Sequence, residues 1–175
     1  MDEDTFWQVV EAAKDHGAGF DDTFQGREEG LAIELRKLSA ERIEAFEHRF
    51  REASSRAYSY EIWDAAILLG EGSCSDDWFV YFRSWLISLG RQRYEAALRD
   101  PETLADIEFG SGKEQSVFFE EFAYVAMRVF EEKTGREMKK SPNASSPRAP
   151  SGRRLTPEER RLRFPKLWKF MEPPM

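Results

Sequence analysis

The chain is poor in the residues that most often announce chemistry. Its single cysteine, Cys74, excludes an internal disulfide and fits a reducing compartment. Only two histidines are present, His16 and His48, both at surface-type positions, so Cys74 has no evident histidine partner as a nucleophile. No apolar run approaches the roughly 18–20 residues that a membrane span needs. The opening Met1-Asp2-Glu3-Asp4 is acidic where a secretory signal would be basic and then apolar. A cytoplasmic protein without a membrane association is expected. There is no H-E-x-x-H, no phosphate-cradling glycine loop and no nucleophile elbow, so no catalytic residue, metal or cofactor is assigned. No stretch alternates with period two between turn residues, which argues against strands.

What is abundant is aromatic and charged. A hydrophobic content of 41% with 14 Phe and 5 Trp in 175 residues suffices for one packed domain plus appendages. The net charge of −7 conceals a division. Residues 139–175 carry ten Lys/Arg against three Glu, a net +7, leaving 16 basic and 30 acidic residues, a net −14, in 1–138. An acidic body followed by a basic tail is the result. The body would repel a phosphate backbone and the tail would attract one.

Apolar spacing resolves the body into helices. Thr5 and Gln8 have capping-box form ahead of Phe6, Val9, Val10 and Ala13. Residues 20–30, polar and glycine-bearing, read as a loop before a short helix over Leu31–Leu38. Ser39 caps an amphipathic helix striped by Ile43, Phe46, Phe50, Ala53 and Ala57. Residues 60–69 are apolar nearly all round and predict a buried helix. Ser75 opens another over 76–89, with Asp76 and Asp77 in the first turn where the helix dipole favours negative charge. A helix over 91–98, a turn from Pro101 and a helix over 117–133 follow. The expected fold is all-α, a compact bundle of about six or seven helices with 60–69 and 76–89 as a central hairpin, and a disordered C-terminal tail. Residues 1–138 form the domain and 139–155 a disordered linker rich in Pro and Ser. Residues 156–175 form a basic, aromatic tail in which Thr156-Pro157-Glu158-Glu159 starts a short helix.

Two sets of side chains are candidates for function. The first is a polar site at the hairpin: Glu61, Asp64, Cys74, Ser75, Asp76, Asp77 and Arg83. Acids there suit a cation, Cys74 a nucleophile; the plainer reading is a capped helix with a buried thiol. Arg83 lies on an apolar helix, so its charge must be paired, with Asp64 or Asp76 as candidates, or must open onto a cleft as an anion clamp. Trp63, Trp78 and Trp85 are expected in the core. The second set is in the tail: Arg153, Arg154, Arg160, Arg161, Arg163 and Trp168. Arginines interleaved with aromatics suit nucleic acid, and Trp168 with Phe170 equally suits docking into a protein groove.

The stretch from Leu69 to Leu98, with Ser75-Asp-Asp-Trp-Phe-Val-Tyr-Phe-Arg-Ser-Trp-Leu-Ile87 at its centre, resembles the bacterial domain-of-unknown-function family 4240. The Phe6-Trp7 pair after an acidic start and the Ile62-Trp-Asp-Ala-Ala66 block extend the resemblance over roughly residues 1–135. Glu71 and Ser73 interrupt the glycines of the family pattern, Trp78 is bulkier than usual, and Tyr81 stands where an acid is frequent. The resemblance implies a bacterial, commonly actinobacterial, protein whose relatives are sometimes fused to a WGR module, a module also found in nucleic-acid-dependent proteins. It brings no activity. The reading is therefore a helical module for protein interaction or regulation. The alternatives are a small enzyme or ligand-binding domain at the hairpin, and nucleic-acid association through the tail.

Overall fold

A computed structural model describes residues 1–18, 24–107, 117–139 and 147–171. The described residues form helices and turns, with no named strand. The helices are α1 (Glu3–Ala18), α2 (Phe24–Arg36), α3 (Ala40–Arg56), α4 (Tyr60–Leu69), α5 (Asp76–Ser88), α6 (Arg91–Arg99) and α7 (Val125–Thr134). Two short ones, α8 (Pro157–Arg163) and α9 (Pro165–Trp168), lie near the C-terminus. 3-10 turns occupy Pro101–Asp106, Glu121–Tyr124 and Lys169–Met171.

The centre of the molecule is the α4–α5 hairpin. Every residue from Ile62 to Leu69 is buried, as are Phe79, Phe82, Trp85 and Leu86 of α5. Aromatic rings tie the two helices together: Trp63 stacks on Phe79 at 4.5 Å, and Phe82 meets Trp85 at 5.2 Å. Serine hydroxyls start three of the helices by accepting a backbone N–H three residues on: Ser39 from Arg42, Ser59 from Ile62, Ser75 from Trp78. Around the hairpin, α1 packs along α2, and α7 closes over α2 and α3.

Four local expectations are corrected. The polar stretch assigned to a loop is helical from Phe24 onward, residues 20–23 lying outside the described residues. Gly30 is in that helix because α1 crosses it closely: a Cβ there would overlap the carbonyl oxygen of Ala13. The first helix begins at Glu3, and the carboxylate of Asp2, not Thr5, accepts at its start, taking Thr5 N–H at 2.7 Å. Trp78 is 48% exposed, resting against Phe118 at 4.7 Å, because it occupies the outer side of the first turn of α5. The last helix of the body is preceded by irregular backbone over 117–120 and a 3-10 turn, so its α-helical part starts at Val125.

Residues 147–171 lie against the body. Ser151 exchanges backbone hydrogen bonds with the start of α4: its N–H donates to Tyr58 O at 3.1 Å and its carbonyl accepts from Tyr60 N at 2.9 Å. Thr156 and Glu159 form a complete capping box at the start of α8. Phe164 and Leu167 are fully buried and join the hydrophobic core. Residues 140–146 of the expected linker lie outside the described residues.

Candidate functional site

The residues proposed from sequence fall into three places. The first is the connection between α4 and α5. Gly70 ends α4; Glu71 (φ 56) and Gly72 (φ 94) take left-handed backbone to turn the chain. Cys74 follows, its carbonyl accepting from the indole N–H of Trp63 at 3.0 Å and its thiol 3.7 Å from Ser75 O. Burial pushes the Cys74 thiol up to about 12. At pH 8 its thiolate fraction is then on the order of one in ten thousand, only partly offset by the greater nucleophilicity of a high-pKa thiolate. Iodoacetamide at pH 8 is expected to label the native chain about fifty-fold more slowly than the urea-unfolded chain. Equal rates would show that Cys74 is not held in this environment. Ser75 spends its hydroxyl on the cap, and Asp76 and Asp77 are exposed in the first turn of α5. Among the described residues no three His, Cys, Asp or Glu side chains gather to hold a metal ion.

The second place is the inner side of α5. Arg83 reaches neither Asp64 nor Asp76 with an ion pair. Its guanidinium donates to Ser54 O at 2.9 Å and Phe79 O at 3.3 Å, and lies over the rings of Tyr58 at 4.7 Å and Phe79 at 5.0 Å. The expected carboxylate partner is thus replaced by the open carbonyl of the α3 C-terminal turn and two aromatic faces. Burial pulls the Arg83 pKa below its ordinary value. Arg83 ties α5 to the C-terminal turn of α3.

The third place is the seat of the C-terminal segment on α4. The carboxylate of Asp64, 1% exposed, accepts from Arg160 Nε at 2.6 Å on one oxygen and from Leu155 N–H at 3.0 Å on the other. Arg160 itself is 13% exposed. Arg154 spreads over the ring of Trp63 at 4.7 Å. Arg163 bridges Asp100 at 3.2 Å and Glu61 at 3.5 Å. Arg153 takes both oxygens of Glu159, whose carboxyl this pairing lowers to about 2. Trp168 is half-buried on the core, and Arg161 is exposed.

The structure therefore joins Glu61 and Asp64 to the tail arginines and leaves Arg83 and the Cys74–Asp77 connection outside that cluster. Sequence reasoning missed the other half of the seat, the acidic turn Asp100–Asp106. Glu102 accepts the backbone N–H groups of Lys166 and, at 3.4 Å, Leu167, at the start of α9, while Asp106 pairs with the Lys166 ammonium at 3.0 Å. The one available signal was three acids within seven residues opposite a basic tail, with nothing to say that they meet.

A family model described as Protein of unknown function (DUF4240) matches residues 1–132. The chain belongs to this family. The match takes in Asp64 and the acidic turn, and ends before Arg160 and the rest of the C-terminal segment. No curated protein and no solved structure matches the chain.

Two cavities lie away from the hairpin residues. One, of about 460 Å³, is lined by Glu3, Trp7, His48, Arg49, Arg51 and Arg56. Its arginines are paired with Glu52, Glu47 and Glu3, and the partnerless indole nitrogen of Trp7 is sealed from it. The other, of about 540 Å³, lies between α1 and α6 beside Lys14 and Gln92. No helix among the described residues is long and apolar enough to cross a membrane.

Proposed function

We propose that this member of the DUF4240 family is a non-catalytic, cytoplasmic module that acts by protein interaction or regulation, with the acidic helical body as its binding surface. The observation that carries this reading is how the hairpin's polar groups are used. Asp64 is engaged on both oxygens by Arg160 and Leu155, Arg83 by carbonyls and rings, and Ser75 by its cap. An active centre requires such groups to converge on open volume with lone pairs or protons to spare. Here they are divided among three structural tasks. The single cysteine, held as a thiol, is consistent with a reducing compartment.

Tail-driven nucleic-acid binding is weakened by the same accounting, because Arg160, Arg163 and Lys166 already neutralise carboxylates of the body. The test uses the intact chain immobilised in extract of its native cell, beside a thermal-shift screen of metabolites and divalent cations. A protein partner captured at fixed stoichiometry, and retained by Cys74→Ser and Asp76→Asn/Asp77→Asn variants, is expected. A small ligand that raises the melting temperature of the intact chain but not of those variants would replace this reading with the enzyme or ligand-binding one.

A further inference from the structure

Three residues of the C-terminal segment point into the body. Arg160 lies on α8, Phe164 at the break between α8 and α9 (φ −128°, ψ 62°) and Leu167 on α9, so two short helices joined at a bend turn these three side chains to the body. Phe164 and Leu167 are fully buried and the Arg160 head group is nearly so. Their seat lies on α4 and on the turn Asp100–Asp106, and it carries its own recognition chemistry. One buried carboxylate faces one arginine, Glu102 receives two backbone N–H groups, and acids at the rim face Arg163 and Lys166. The contacts between segment and body are those of a bound peptide: anchors in pockets, charge pairs at the edge and backbone pairing at Ser151.

The family match supplies a second observation. It contains the whole acidic seat and stops 28 residues before the arginine that fills it. The buried carboxylate of Asp64 thus belongs to the domain, and its counter-charge comes from a segment beyond the domain.

The geometry points to a peptide-binding groove on the family domain, at α4 and the Asp100–Asp106 turn, that takes a basic segment of a partner protein bearing Arg-x-x-x-Phe-x-x-Leu and is occupied in this chain by its own residues 147–171. This rests on the interaction reading above and names the surface and the partner's chemistry. Groove and segment belong to one chain, so the resident segment competes intramolecularly with any partner. A partner segment therefore enters only when it binds more tightly or when the resident segment is loosened. Occupancy by self keeps the groove closed to weak basic sequences.

The probe is a fluorescein-labelled synthetic peptide of residues 153–171, followed by anisotropy against the full-length chain. The Arg160→Gln/Phe164→Ala chain is expected to bind it at least about tenfold more tightly than the unaltered chain. The interaction should weaken in high salt and disappear when Asp64→Asn is added. A loosened chain that keeps its circular dichroism and yet binds no peptide overturns the groove. Should the loosened chain lose its helical signal, a second chain with 140–146 replaced by a protease site decides. After cleavage, a body that stays folded while the fragment leaves in salt and returns on dilution supports exchange; a body that unfolds makes the segment an integral part of the fold and overturns it. Either failure removes this groove only. The interaction reading is lost separately, by the ligand screen described above.

Discussion

Trp63→Ala is expected to lower stability by about 3–5 kcal/mol, the usual cost of emptying a buried aromatic site. Trp63 is 5% exposed and holds three parts of the molecule at once. One face stacks on Phe79 of α5, its N–H fixes the Cys74 carbonyl in the connecting loop, and Arg154 of the C-terminal segment lies over its ring. Against the 5–15 kcal/mol that typically separates folded from unfolded domains, roughly a third of the total is lost. The melting temperature should fall by roughly 6–20 °C for a chain of this size. Trp63→Phe keeps the ring stack and gives up the hydrogen bond, so its loss should be about 1–2 kcal/mol. Thermal melts followed by circular dichroism check both, and a Trp63→Ala melt within about 2 °C of the unaltered chain would contradict the packing described.

The second large effect concerns Asp64 and Arg160. Breaking a buried ion pair by removing one member ordinarily costs 3–5 kcal/mol, because the survivor is left charged and dry. In this protein the survivor has an escape: if the C-terminal segment lifts away, Asp64 regains water. The cost of Arg160→Ala is therefore limited by the docking free energy of the segment, and about 3 kcal/mol is expected. The loss should appear as local opening. Where opening is fast compared with cleavage, the trypsin rate at Arg153 and Arg154 follows the open population and should rise about a hundredfold, with the helices of the body intact. Asp64→Leu combined with Arg160→Met is expected to recover part of the loss, since an apolar contact carries no desolvation cost while Leu155 N–H loses its acceptor. Unchanged trypsin kinetics in Arg160→Ala would show that the ion pair does not hold the segment.

The parts of this structure that were legible in the sequence are those decided within a few residues. Hydroxyl caps at Ser39 and Ser75 and the unbroken apolar face of 60–69 are local physics, and the helices stand where they put them. The misread features depend on what crosses from elsewhere. Gly30 resembles a loop residue until Ala13 is known to lie against it. Trp78 resembles core until the direction of the first turn of α5 is fixed. Arg83 called for a carboxylate, and an uncapped carbonyl at Ser54 and the ring of Tyr58 served instead. Of the candidate site, Asp64 and Arg160 were each singled out, but as members of different devices. They stand 96 residues apart, and no periodicity connects positions at that distance. The two backbone hydrogen bonds at Ser151 needed no side-chain signal at all.

The contact at Gly30 has a mechanical meaning. Where backbone meets backbone, no side chain is available to swing aside, so any residue larger than glycine at position 30 would force α1 and α2 apart. Because α2 also abuts α7, such a displacement would reach the last helix of the body, which ends at Thr134. That single glycine therefore sets the spacing on which the α1, α2 and α7 side of the body is built.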